Sequence, residues 1–128
     1  MDDGQKVRRL TGLAGLAVVA TALGQFPLYA TSGTPSVYDA AALAQFTFTI
    51  HNVIFARVLL DLGTYVALMV FASGLGQLIR RARPDLEWAG TLVFGAAAVW
   101  IGVTLVANGL EGSAALATLN GNPDPSVV

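Results

Sequence analysis

The sequence has no cysteine and only one histidine. The lack of cysteine excludes disulfides, thiolate metal sites and cysteine nucleophiles. A single histidine excludes a bis-histidine haem or a histidine-rich metal site within one chain. The Gly-x-Ser-x-Gly, His-Glu-x-x-His and Cys-x-x-Cys signatures are also missing. The sequence therefore predicts no catalytic, cofactor-binding or metal-binding residue.

Charge is scarce and unevenly distributed. Charged residues make up 12% of the chain and hydrophobic residues 55%, with a mean hydropathy of +0.65, whereas soluble domains carry about 25% charged residues. The net charge of −1 and the lack of a basic patch interleaved with aromatics argue against a nucleic-acid partner. The composition predicts a polytopic membrane protein that has the lipid bilayer as its surroundings.

Three apolar runs are long enough to cross that bilayer, at residues 10–29, 58–79 and 89–110. A helix needs about 20 residues to span a hydrocarbon core of about 30 Å. We therefore expect an all-α integral membrane bundle with three transmembrane helices, forming a single membrane domain over residues 1–128. The first run follows a basic segment, so a cleaved signal peptide is the alternative for it.

A fourth helical segment is expected before the second span. Ser36 followed three residues later by Asp39 resembles a capping box, so a helix should begin near Val37. No strong helix breaker follows until Pro84, and one helix over this whole stretch would be twice the length that a bilayer needs. Residues 37–50, which mix alanine and phenylalanine with glutamine and threonine, are expected to form an outer amphipathic helix at the interface.

The basic residues predict the orientation. They flank the spans in two groups, Lys6, Arg8 and Arg9 before the first span and Arg80, Arg81 and Arg83 between the second and third. Both groups should be cytoplasmic, which puts residues 30–56 and the end of the chain outside. Arg57 is the one exception. The excess of arginine over lysine favours a bacterial protein, hence the bacterial inner membrane with a cytoplasmic N-terminus.

The last residues have the pattern of a helix start. Asp124 suits an N-cap, Pro125 the first helical position, and Val127 and Val128 an apolar run. We expect the natural chain to continue into at least one further span, and the alternative is an outer tail.

Polar side chains occur at a common depth in all three spans. With the predicted orientation, Gln25, Arg57, Asp61 and Asn108 all lie in the outer leaflet, and Glu111 lies just beyond. Arg57 and Asp61 are four residues apart, so they can pair directly. An isolated Asp in hydrocarbon costs about 3 kcal/mol, so Asp61 should face the bundle.

Two interpretations of this cluster remain open. It forms either a polar knot that fixes helix register, or a water-accessible site for a proton, an ion or a small polar ligand. The function predicted is a transport, sensing or accessory component that is not an enzyme. The alternative is a membrane-embedded enzyme acting on a lipid or quinone, with Asp61 as acid or base and Arg57 as anion clamp; its further catalytic groups would lie outside this sequence.

Small residues recur at helical spacing in every span. They are Ala20 and Gly24 in the first, Ala72 and Gly76 in the second, and Gly95, Ala98, Gly102 and Gly109 in the third. Such faces permit close approach of helices. They favour an intrachain bundle at least as much as association into a homo- or hetero-oligomer.

Four stretches are similar to those of a known family. They are "RRLTGLAGLA" opening span one, "GQFPLY" at its end, "LLDLGTYVALMVFASGLGQLIRRARPDLEW" through span two and its loop, and "TLVFGAAAVWIGVTLVANGLEGSAAL" in span three. Together they resemble an uncharacterised family of bacterial multi-pass membrane proteins, a domain of unknown function. The resemblance implies an integral membrane protein with further spans, and it implies no reaction, cofactor or catalytic residue.

Overall fold

A computed structural model describes residues 3–33 and 39–119. Three helices account for nearly all of them: α1 (Asp3–Ser32), α2 (Ala40–Ala82) and α3 (Glu87–Leu119), with one 3-10 turn at Pro84–Leu86 between the last two. Each of the three is long and apolar enough to cross a membrane. The all-α membrane fold is therefore confirmed. The helix-start pattern at residues 124–128 lies outside the described residues.

The helix ends follow local chemistry. Asp39 is the N-cap of α2, and its carboxylate accepts from the amides of Ala41 and Ala42 at 3.0 and 3.2 Å. The predicted start near Val37 is wrong by three residues, because this carboxylate satisfies the first free N–H groups of the helix. Ser36, the predicted cap, lies outside the described residues. Gly33 follows α1 with a φ of 72°, the left-handed conformation that ends a helix.

α2 lies between the other two helices. α1 and α3 run antiparallel to it and pack along it, and in the described residues they make no close backbone approach to each other. At one end of α2, Gly74 lies against Thr11 of α1, and Gly76 lies against Gly90 of α3. At the other end, polar side chains from all three helices meet. We call these the basic end and the polar end, after the arginines near Ala82 and the cluster around Asp61.

The predicted outer amphipathic helix is the first part of α2 and is not a separate element. α2 runs from Ala40 to Ala82 without a break. The last turns of α3 pack against α2 near Ile54, where Ala115 and Thr118 are buried. This contact also explains why α3 continues beyond the predicted span to Leu119, since tertiary packing stabilises a helix more than propensity does.

Only some of the small residues form contacts within the chain. Ala72 and Gly76 are buried beside α3. A Cβ added at Gly24, Gly95, Gly102 or Gly109 would meet open space, and Ala20 and Ala98 are exposed. Within the described residues the small face of span two therefore packs inside the chain and those of spans one and three do not, and association through those faces stays a prediction. Those faces point away from α2, which is the helix that α1 and α3 both contact.

Large apolar side chains cover the outside of the described helices. Leu16, Leu59, Val66 and Val99 are each more than 60% exposed. In water such a surface would be an aggregation liability, whereas in hydrocarbon it is the normal covering of a spanning helix.

Candidate functional site

The carboxylate of Asp61 joins all three helices at the polar end. Gln25 of α1 donates its Nε2 to Asp61 Oδ1 at 2.5 Å, and Asn108 of α3 donates its Nδ2 to Asp61 Oδ2 at 2.8 Å. Each carboxylate oxygen is thus bound by an amide from a different helix. This convergence brings together three of the four residues that the sequence placed at one depth.

The network continues from Asn108 deeper into the span. The same Nδ2 of Asn108 also donates to the Tyr65 hydroxyl at 2.8 Å. The Tyr65 ring is buried and meets Trp100 of α3 edge to face, with ring centroids 6.0 Å apart and an interplanar angle of 78°. On the α1 side, Thr64 donates to the Thr21 hydroxyl at 2.7 Å. The carboxylate of Asp61 is therefore connected through hydrogen bonds to Tyr65, whose ring contacts Trp100 on another helix.

A second three-helix contact lies one turn towards the start of α2. The guanidinium of Arg57 donates from its two terminal nitrogens to the two carboxylate oxygens of Glu111, at 3.0 and 3.2 Å. Its central carbon lies 3.9 Å from the centre of the Tyr29 ring on α1. The Arg57 side chain is 11% exposed and that of Glu111 35%. Nε of Arg57 is buried without an acceptor in the described residues, and the Tyr29 ring offsets part of that cost through a cation–π contact.

The direct pair that the spacing of Arg57 and Asp61 permits does not form. Arg57 binds Glu111 instead. On a helix the cation four residues before the anion is the weaker orientation of such a pair. Helical side chains also lean towards the N-terminus, which directs Arg57 away from Asp61. Glu111, brought to the same level by α3, offers both oxygens to the guanidinium fork.

Asp61 is consequently a carboxylate without a cationic partner. No basic side chain of the described residues lies within salt-bridge distance of it. Two neutral amides bind its oxygens, and the nearest positive charge, on Arg57, is balanced by Glu111. Such a group satisfies its hydrogen bonds while its charge remains uncompensated, which is an expensive arrangement inside a membrane.

The sequence missed three members of this region. Glu111 was placed just beyond the third span with no assigned partner, and Tyr29 and Tyr65 were not singled out. Polarity at a common depth was a usable signal for Glu111. The tyrosines carry no such signal, because a tyrosine in a span is as often a packing or interface residue.

His51 takes no part in the contacts of the polar end. His51 is in the first part of α2, where Nδ1 lies 2.6 Å from the carbonyl oxygen of Phe48 and the ring lies between Phe48 and Phe55. Within residues 3–33 and 39–119, no three His, Asp or Glu side chains are grouped closely enough to hold a metal ion.

Comparison with known proteins does not assign this chain to a family. No protein-family model, no curated protein and no solved structure matches the chain. What the polar cluster does must therefore be argued from its own contacts.

Proposed function

We propose that this chain is a non-enzymatic component of the bacterial inner membrane, with a transport, sensing or accessory role, in which Asp61 takes up and releases a proton from the outer side. One observation carries the proposal: the Asp61 carboxylate is bound by two amides and, among the described residues, by no cation. An intramembrane carboxylate of this kind is a functional-site hypothesis by default.

The amide partners suit a carboxyl group that changes its protonation state. Gln25 and Asn108 each carry a donor NH₂ and an acceptor oxygen. With Asp61 ionised, both amides donate to it, as observed. With Asp61 protonated, rotation of one amide would present its oxygen to the new O–H. An arginine partner has donors only and would satisfy the ionised form alone.

The other ionisable groups near Asp61 do not replace it. Arg57 and Tyr65 neighbour it on α2, Tyr29 lies on α1, and Glu111 on α3. Arg57 is bound by Glu111 through two hydrogen bonds, so a proton on Glu111 would have to displace a charged pair. Asp61 gains a proton without breaking any ion pair. We therefore assign the proton exchange to Asp61.

Proton exchange at Asp61 would change how the helices are held. Rotation of the Asn108 amide would end its donation to the Tyr65 hydroxyl, which would then have to donate to the Asn108 oxygen, and Tyr65 packs on Trp100. The state of Asp61 is thus linked to side chains deeper in the α2–α3 seam. That link makes the cluster suited to sensing or to coupling proton movement with helix movement.

Trp100 provides the first test. Trp88 and Trp100 are the two tryptophans of the chain, so a Trp88→Phe background leaves Trp100 as the single reporter. In reconstituted protein, its emission should change when the pH is titrated. The change should vanish with Asp61→Asn, which fixes a neutral side chain of the same shape.

Glu111→Gln is the matched control for that titration. It removes the other nearby carboxylate and should leave the Trp100 transition in place. A transition that survives in Asp61→Asn and disappears in Glu111→Gln would contradict the proposal.

The proposal also includes the orientation of the helices in the membrane. The basic end carries the arginine excess and would face the cytoplasm, which puts the N-terminus inside and the polar end outside. The resemblance to an uncharacterised family of bacterial multi-pass proteins agrees with this setting. An accessory role would use the open small-residue face of α3, at Gly95, Gly102 and Gly109, to contact a second copy or another membrane protein.

The enzyme alternative has less support. Action on a lipid or quinone would need Arg57 as a free anion clamp, and both of its terminal nitrogens bind Glu111.

A further inference from the structure

A small cavity lies between α1 and α2 at the basic end, far along the helices from Asp61. Its volume is about 360 Å³, and it is lined by Gly4, Gln5, Arg8, Leu78, Arg81 and Ala82. Two arginines from two different helices thus border one space. Because it is remote from the polar cluster, an inference drawn from it is independent of the proposed function.

The two arginines differ from several of their neighbours. Four basic side chains are already paired with carboxylates: Lys6 with Asp3, Arg57 with Glu111, Arg80 with Glu87, and Arg83 with Asp85. Arg8 and Arg81 are exposed, and neither has a carboxylate within salt-bridge distance in the described residues. The two arginines that face the cavity are therefore available to an anion.

The neighbouring ion pair at Arg83 shows the contrast. Its guanidinium donates to both carboxylate oxygens of Asp85, at 3.0 and 2.7 Å. The Arg83 hydrogen bonds lower the pKa of the Asp85 carboxyl, so Asp85 stays ionised and balances Arg83 at neutral pH. Arg8 and Arg81 have no such ion pair in the described residues.

We propose that this cavity binds the phosphate headgroup of an anionic phospholipid. The guanidinium fork matches phosphate oxygens and binds them through paired hydrogen bonds. Gln5 adds an amide donor at the rim, and the absent side chain of Gly4 leaves room beside the backbone. Basic pockets between transmembrane helices at the membrane surface are the recognised setting for anionic headgroups.

The position of the cavity favours a lipid over a soluble phosphate. The uncharged part of α1 begins at Leu10, two residues after Arg8, and Leu78 forms an apolar wall of the cavity. The arginines therefore lie at the level where headgroups meet hydrocarbon. A phosphate bound there can remain attached to acyl chains that cover the apolar surface of α1 and α2.

Binding of defined lipids to the full chain tests this inference. The purified protein in detergent is titrated with phosphatidylglycerol or with phosphatidylcholine, and native mass spectrometry gives the Kd from the fraction that retains lipid. Phosphatidylglycerol should bind more tightly. The double change Arg8→Gln and Arg81→Gln should weaken it by about 25-fold, that is, about fivefold for each basic residue removed near the membrane surface.

Arg83→Gln is the control for each arginine that the double variant removes. It takes away one positive charge at the same end, from a side chain that is already paired with Asp85 and does not line the cavity. It should leave the Kd for phosphatidylglycerol within about twofold, as for an exposed ion pair of small effect. Circular dichroism verifies that each variant remains helical. The comparison of the two lipids on the unaltered chain stands even if a variant fails to fold.

Three outcomes would overturn the inference. The first is equal binding of the two lipids by the unaltered chain. The second is an equal loss of binding in Arg83→Gln, which would mean diffuse attraction without a site. The third is full displacement of phosphatidylglycerol by millimolar inorganic phosphate but not by chloride of equal ionic strength, which would assign the cavity to a soluble phosphate.

Discussion

Arg57 is the only lysine or arginine between Leu10 and Ile79. The carboxylate that it binds is therefore the one acidic group at the polar end that this cation can neutralise. Local spacing offered Asp61, one turn away on the same helix. The fold offered Glu111, with two oxygens at the right level and an aromatic ring from α1 beneath the guanidinium. The bidentate pair with a ring on one side is the stronger arrangement.

A double-mutant cycle measures this preference. Arg57→Met should lower the free energy of unfolding by about 1.5–3 kcal/mol, since Glu111 loses both charged hydrogen bonds. The cycle of Arg57→Met with Glu111→Gln should give a coupling energy of about 1 kcal/mol or more. The cycle with Asp61→Asn should give less than about 0.5 kcal/mol. Chemical denaturation in detergent, followed by circular dichroism, provides all the values.

The reverse ranking of these two coupling energies would show that Arg57 interacts with Asp61 after all. In that event Asp61 would have a cationic partner, and the proposed proton exchange would lose its basis.

At the scale of the helices, the backbones of α2 and α3 approach each other closely at Gly76 and Gly90, near the basic end. A Cβ built on Gly90 would lie 3.0 Å from the Cα of Gly76, whereas one built on Gly76 would lie 3.6 Å from the Gly90 carbonyl oxygen. The first distance is too short for backbone against side chain and the second is an ordinary contact. The two glycines are therefore unequal, although they face each other.

Alanine substitution should reveal that inequality. Gly90→Ala should destabilise the protein by about 1–3 kcal/mol, because the facing atoms are backbone and α3 would have to move away. Gly76→Ala should be tolerated. Gly95→Ala, five residues further along α3 in open space, should be neutral or slightly stabilising because alanine favours helix over glycine.

Unfolding of the three variants in one detergent gives the comparison. Equal stability of Gly90→Ala and Gly95→Ala would mean that α2 and α3 do not approach as closely as described.

For the whole molecule, the two ends differ in chemistry and so define a direction. The basic end carries the arginines and the lipid cavity, and the polar end carries Asp61, Arg57 and Glu111. In the proposed orientation the first end faces the cytoplasm. α2 and α3 also extend beyond α1 at the polar end, where Ile54 of α2 and Ala115 of α3 are buried.

Single cysteines test the proposed direction, because the chain has none of its own. A cysteine at Gly112, near the polar end, should react with an impermeant thiol reagent added outside the cell. A cysteine at Ala82, the last residue of α2, should react only after the membrane is opened. Gly112 has open space for the new side chain, and Ala82 is exposed. The opposite labelling pattern would invert the topology.

The sequence by itself determined the fold class, the three helices and the common depth of Gln25, Asp61 and Asn108. Length, apolar composition and the cost of a polar group in hydrocarbon act on each helix alone, so they can be deduced one span at a time. The sequence also predicted a helix start in this region, although the capping residue of α2 is Asp39 and not the predicted Ser36.

Only the tertiary structure decided which faces meet. It separated Arg57 from Asp61, paired Arg57 with Glu111, and turned Gly95, Gly102 and Gly109 of α3 away from α2. These outcomes depend on the rotation and register of one helix against another, which no pattern within a single helix fixes when apolar residues surround it on all sides. The uncompensated charge of Asp61, on which the proposed function rests, is a product of that packing.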